Sequence, residues 1–212
     1  MKLRRVVQGI FLLLFVFLSI QGKQQFWMLF FLLGVVGALW FGRFYCAWLC
    51  PINTTMDVLD KIYQKMGISR RGVPSWAMKK WVRGLILGLF LSTILFVMLS
   101  GKKIPVLVML TIAGVALSLF FVPAFWHRYL CPYGTILNFT GKWARNYYFV
   151  DQENCVRCGK CKKACPAEAI IMKDTKDYPV IDKGLCLTCT RCVEACPKDT
   201  IHYGLQRRAE LQ

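Results

Sequence analysis

Apolar residues gather in four blocks, at positions 6–20, 26–41, 81–99 and 104–122, separated by polar or basic segments. A helix that crosses a hydrocarbon core needs about 20 such residues at about 1.5 Å rise each. Each block is therefore read as a transmembrane helix, the first two with their ends near the headgroups. Residues 21–25 and 100–103 are tight turns, so the blocks pair into hairpins joined by a long connection at 42–80. Leu49-Cys50-Pro51 after the first hairpin recurs as Leu130-Cys131-Pro132 after the second, with Thr54 and Thr135 at the same offset. This repeat predicts a four-helix transmembrane bundle of two repeated hairpins. A stretch with helical spacing follows each Cys-Pro: Val58, Leu59, Ile62, Tyr63 and Met66, then Ile136, Leu137, Phe139 and Trp143. These either lie with apolar faces in the headgroup region or pack as ordinary connecting helices.

Composition and charge narrow the class. Hydrophobic residues make up 56% of the chain and charged residues 18%, below the roughly 25% charged of a soluble domain, which argues against an ordinary soluble enzyme. The formal charge of +17 raises nucleic acid as a partner. The positions of the cations argue against it: they flank apolar blocks or sit among cysteines, so membrane lipid is the expected partner, and not nucleic acid. Arg43, Lys61, Lys65, Arg70, Arg71, Lys79 and Lys80 in the long connection, with Lys2, Arg4 and Arg5, outnumber Lys23, Lys102 and Lys103 in the tight turns. The positive-inside rule then gives a multi-pass protein of the cytoplasmic (inner) membrane, with both termini and the long connection cytoplasmic. A cleavable signal peptide competes for the first block, but no A-x-A-like site follows it.

At about residue 147 the composition changes, dividing a membrane domain, 1–146, from a small domain, 147–212. Eleven cysteines, an odd number, do not suit a closed set of disulfides. Cys155, Cys158, Cys161 and Cys165, followed by Pro166, form C-x2-C-x2-C-x3-C-P, and Cys186, Cys189, Cys192 and Cys196, followed by Pro197, repeat it. Three thiolates at this step wrap one side of an iron-sulfur cube, and the fourth reaches the other cube of a pair. One [4Fe-4S] cluster would take Cys155, Cys158, Cys161 and Cys196, and the other Cys186, Cys189, Cys192 and Cys165. Structural zinc is the rival, but it has no use for a third Cys at the same step. Residues 169–172 and 178–181 read as a short hairpin, and 149–150 with 201–203 as a second strand pair, which completes a C-terminal α+β two-cluster bacterial-type ferredoxin domain. His202 reads as a surface or strand residue, since both ligand sets are complete without it.

Cys46 and Cys50 are four apart and share a helix face, as do His127 and Cys131. Imidazole replaces thiolate in some iron-sulfur centres, so a third centre at Cys46, Cys50, His127 and Cys131 is one reading. The others are a cluster on the three Cys alone, a thiol redox or other metal site, and a structural role. Trp40, Arg43, Phe44, Tyr45, Trp48, Trp126, Arg128 and Tyr129 crowd the same edge. They form an interfacial belt or a quinone-head site with Arg43 or Arg128 near its oxygens.

With Gly42-Arg43-Phe44-Tyr45-Cys46-Ala47-Trp48-Leu49-Cys50-Pro51, Trp126-His127-Arg128-Tyr129-Leu130-Cys131-Pro132-Tyr133-Gly134 and the tandem runs in view, the chain resembles the NapH-like membrane ferredoxin-type proteins. It is related in pattern to the membrane parts of NosR and of CcoG/RdxA/FixG-type proteins. The resemblance implies an electron conduit between the quinone pool and a reductase or its adaptor. It departs at His127, where both membrane segments of the family are usually C-x3-C-P.

The expected function is a membrane-bound iron-sulfur electron-transfer protein that relays electrons between quinone or quinol and a partner oxidoreductase or ferredoxin-type adaptor. No P-loop, Rossmann fingerprint or Ser-His-Asp candidate occurs, so a non-catalytic subunit is favoured over an enzyme. The alternatives are a membrane quinone or metal-ion reductase in its own right and a redox maturation factor for a partner metalloenzyme.

Overall fold

The structure, a computed structural model, describes residues 2–101, 104–174 and 177–205. Lys102 and Lys103 of the second tight turn, Thr175 and Lys176 between the expected hairpin strands, and the C-terminal end at 206–212 lie outside the described residues. The elements in chain order are α1 (Lys2–Ile20), α2 (Gln25–Phe41), α3 (Phe44–Trp48), α4 (Pro51–Met66), α5 (Lys80–Ser100), α6 (Val106–Phe120), a π-helical segment (Phe125–Leu130), α7 (Pro132–Gly141), β1 (Asn146–Val150), α8 (Lys160–Ala164), β2 (Ile170–Ile171), β3 (Val180–Ile181), α9 (Arg191–Ala195) and β4 (Ile201–Leu205). They form two compact units, Met1–Phe30 with Trp48–Thr135, and Phe31–Ala47 with Ile136–Gln212.

The four-helix transmembrane bundle of two repeated hairpins is corrected by helix length. Among the described residues only Leu3–Ile20 and Trp81–Ser100 are long and apolar enough to cross a membrane, with mean hydropathies of 2.0 and 2.3. The helices Gln25–Phe41 and Val106–Phe120 are apolar but short, 17 and 15 residues. At about 1.5 Å per residue they fall below the roughly 30 Å of a hydrocarbon core. Both stop for a physical reason. Gly42, at φ 69°, turns the chain out of α2. Helix α6 starts only after Pro105 and ends where Phe121 becomes extended and bridges Arg71.

In the first unit the last carbonyls of α6 are covered by other segments. Arg70 donates to the Ser118 carbonyl at 3.1 Å, the Tyr63 hydroxyl to Leu119 at 3.1 Å and the Arg71 N–H to Phe120 at 3.0 Å. A helix leaves its final carbonyls without intrahelical partners, and these donors supply them. Helix α4 packs against α6 at Gly114, where a Cβ would lie 3.0 Å from both Ile52 and Trp126. It buries Ile52 and Met56 with Asp57 and Asp60, and exposes Val58, Ile62 and Met66. Asp57 accepts from Arg4 at 3.3 Å and Gln8 at 3.4 Å, tying α1 to α4. Asp60 pairs with Arg70 and accepts from Gln64 at 3.0 Å. The carboxylates face the protein, where they are paired as buried charges must be, and the apolar residues face outward.

In the second unit β1 and β4 pair antiparallel from Asn146↔Leu205 to Val150↔Ile201, and β2 and β3 pair at Ile170↔Ile181 and Ile171↔Val180. Both pairs fall where the sequence placed them, and His202 is exposed on β4. The core between the strands and α8 and α9 is small: Cys161, Ile170, Ile181, Cys192 and Ile201, with Tyr148, Val150 and Val193 against it. The end of α2 belongs to this unit, and three donors cover its last carbonyls. The Arg145 N–H reaches Leu39 at 3.0 Å, Asn146 Nδ2 reaches Trp40 at 3.1 Å and the Tyr203 hydroxyl reaches Phe41 at 3.1 Å.

Candidate metal centre

The two cysteine runs fold alike. In each, the first two Cys lie in a loop, the third lies on a five-residue helix (Cys161 on α8, Cys192 on α9), and the fourth ends that helix in an extended conformation. Arg157, Thr188, Thr190, Glu168 and Asp199 are the non-glycine residues with positive φ, between 50° and 64°, among the described residues. All lie in these runs, at matching places: Arg157 and Thr188 before the second Cys, Gly159 and Thr190 after it, Glu168 and Asp199 three residues past the fourth. Each non-glycine residue in this region costs about 1 kcal/mol or more. Strain repeated in register points to a backbone shaped for a ligand, and alternating right- and left-handed residues turn successive N–H groups into a concavity for an anionic group.

The donors that reach sulfur fit that shape. The Ala169 N–H lies 3.2 Å from Cys165 Sγ, and Thr200 Oγ1 lies 3.3 Å from Cys196 Sγ.

Two cavities open among the thiols, each with about 340 Å³ of space free of protein atoms, part of it open to solvent. One is lined by Cys155, Cys158, Cys161 and Cys196, and the other by Cys165, Cys186, Cys189 and Cys192. Each cavity thus draws three thiols from one run and the fourth from the other. Burial, and then the neighbouring sulfurs Cys189 and Cys165, push the Cys192 thiol up to about 12. Burial and Cys189 push Cys186 up as well, and burial raises Cys161. At Cys196 burial also raises the thiol, but hydrogen bonds from Thr200 and Lys198 outweigh it and leave the thiol below its usual range. Thiolates crowded in this way repel one another unless a cationic metal group sits between them, so the donor set suits an iron-sulfur group. Among the described residues, no three His, Cys, Asp or Glu side chains converge as a site for a single metal ion.

The membrane-edge residues are divided between the units. Cys46 lies on α3 in the second unit, buried, with Arg43 Nη2 3.8 Å from its sulfur. Cys50, His127 and Cys131 belong to the first unit and are also buried. Cys50 and Cys131 are extended residues capping α4 and α7, each followed by Pro, and Thr54 and Thr135 donate to their carbonyls at 3.1 Å. Pro at the first helical position and a Thr side chain back on the cap make the same local start twice. Burial, and then Cys131 and Cys50, push the Tyr133 hydroxyl up, so both sulfurs lie within electrostatic reach of that group. The Gly134 N–H donates to Cys131 Sγ at 3.3 Å.

His127 lies in the π-helical segment, closed by the Cys131 N–H on the Trp126 carbonyl at 2.9 Å. Such segments are rare and collect at functional sites, and nothing in the residue spacing announced this one. Arg43, Tyr45, Trp126 and Tyr129 are buried in protein rather than ranged along an interface, while Trp40 is exposed.

Residues 148–203 match the family model of a 4Fe-4S dicluster domain, and residues 24–69 and 103–146 match that of a 4Fe-4S binding domain. The second model falls on both copies of the repeat. Among similar proteins, YccM of Escherichia coli (strain K12), provisionally named an electron transport protein, is 26% identical over 66% of this chain and 45% of its own length. The methylamine utilization ferredoxin-type protein MauN of Methylobacillus flagellatus is 30% identical over 61% of this chain and 50% of its own. The regulatory protein NosR of Pseudomonas aeruginosa is 26% identical over 62% of this chain and 21% of its own. The chain spans about half the length of the first of these curated relatives. No solved structure matches it. With two family models on the repeats and the cysteine runs, the chain belongs to a 4Fe-4S binding family related to NapH-, NosR- and MauN-type iron-sulfur membrane proteins.

Proposed function

We propose that the chain is a non-catalytic electron carrier that holds two [4Fe-4S] clusters in residues 147–212 and passes electrons between the quinone pool and a partner oxidoreductase or its ferredoxin-type adaptor. The observation that carries this reading is the pair of thiol-lined cavities, each drawing its fourth sulfur from the other run. Cys155, Cys158, Cys161 and Cys196 hold one cluster, and Cys186, Cys189, Cys192 and Cys165 the other. Each cluster supplies one-electron transfer without proton chemistry. The chain's part is to hold the sulfurs, donate N–H bonds to them and keep bulk water from the Cys186 and Cys192 side.

Residues 1–146 serve as the membrane-associated part, with the termini and the cluster domain on the cytoplasmic side. The support is the basic residues Lys61, Lys65, Arg71 and Lys79 of the long connection and the outward apolar side of α4. A quinone head would meet Arg128, which is half-buried and stacked on Tyr129 at 5.4 Å.

Anaerobic purification of the full chain, with iron and sulfide analysis, tests the cofactor: about eight irons per chain are expected from two cubes. A count nearer twelve would require a third centre beyond these two. A folded tail carrying zinc, or no metal, would overturn the reading. Quinol-driven reduction of the clusters in native membranes tests the quinone link, and no reduction with the partner present would remove it.

A further inference from the structure

Arg43 is among the most deeply buried side chains of the protein, 1% exposed, and its guanidinium meets no carboxylate among the described residues. Nη1 donates to the carbonyls of Gly184 at 3.3 Å and Leu185 at 3.5 Å, Nη2 approaches Cys46 Sγ at 3.8 Å, and Nε is buried without a partner. Gly184 and Leu185 immediately precede Cys186. The neighbouring residue, Gly42, abuts the same loop from a second point: a Cβ there would lie 3.3 Å from Thr188 Cγ2, and Thr188 is the strained residue between Cys186 and Cys189. The approach depends on missing side chains, since a Cβ on Gly141 would lie 3.2 Å from Arg43 Cγ and one on Gly184 2.4 Å from Asn138 Oδ1. All of these residues lie in the second unit.

A permanent positive charge buried without an anion is costly, and weak contacts to two carbonyls and a thiol do not offset it. A cluster with four thiolates carries a net charge of about −2. A cluster held by Cys165, Cys186, Cys189 and Cys192 would supply an anion beyond the Gly184 and Leu185 carbonyls that the Arg43 guanidinium contacts.

We infer that Arg43 is a positioning residue for the cluster held by Cys165, Cys186, Cys189 and Cys192: it fixes the loop before Cys186 and, as a buried cation, raises that cluster's reduction potential. This rests on the two-cluster reading above. The sign follows from charge: adding an electron to an anionic group is easier beside a cation, so removing the cation shifts the potential to more negative values.

The test uses the full chain, purified without oxygen, as wild type, Arg43→Gln and Arg43→Lys, read by iron analysis and EPR redox titration. The signal of the second cavity is identified by its loss in Cys189→Ser. In Arg43→Gln that signal is expected to shift to more negative potential while the other stays in place, with Arg43→Lys close to wild type. Selective loss of that one cluster in Arg43→Gln, restored in Arg43→Lys, also supports the inference. It is overturned if Arg43→Gln carries both clusters at unchanged potentials, if both signals shift equally, or if both variants lose both clusters together. A wild-type protein without two cluster signals would instead bring down the two-cluster reading, and this inference with it.

Discussion

Cys196 sits in the second run but lines the cavity of the first. Cys196→Ser and Cys158→Ser are therefore expected to abolish the same EPR signal and to lower iron by about half, whereas ligation within each run would make them abolish different signals. The raised thiols carry a second expectation. Cys186 and Cys192 hold their protons more tightly than an exposed thiol does, and metal binds the deprotonated form, so loading must displace those protons. Cluster reconstitution into apoprotein should improve as pH rises, measured by visible absorbance against pH; a flat profile would count against it. The thiols that line the two cavities were legible because their spacing groups them in the sequence. The strained residues were not, since Arg157, Thr188, Thr190, Glu168 and Asp199 are residue types that do not advertise a left-handed backbone.

Helices α4 and α6 meet at Gly114, where an added Cβ would press on Ile52 and Trp126. Gly114→Ala should destabilise the first unit by about 1–3 kcal/mol. Gly88→Ala on α5, with nothing within 4 Å of the added atom, should not. Thermal unfolding in detergent compares the two, and equal midpoints would refute the close packing. At this scale the short strands read well from sequence, because turn residues bound them. The apolar helices read less well. Counting apolar residues sees 26–41 and 104–122 as spans, but Pro105, Gly42 and the donors that cover the final carbonyls decide where α2 and α6 stop.

For the whole molecule, the crossed cavities tie the halves of the small domain together, so its folding should depend on iron. Chelation under reducing conditions is expected to make residues 147–205 sensitive to protease while the protein still sediments with membranes. A tail that stays resistant after iron is gone would overturn the coupling. The sequence boundary near residue 147 follows the change in composition, yet the structure groups Phe31–Ala47 with Ile136–Gln212. That grouping was hidden because it rests on three hydrogen bonds to carbonyls and on the burial of Arg43, neither of which leaves a periodic mark in the chain.

The cover over the end of α2 has a consequence for biogenesis. Arg145, Asn146 and Tyr203 complete that helix from residues synthesised long after it, and Tyr203 is aligned by strand β4, beyond the last cysteine. Without iron, loss of the Tyr203 cover would leave the Phe41 carbonyl bare at the tip of an apolar helix, so metal supply is expected to bear on how that helix end is finished.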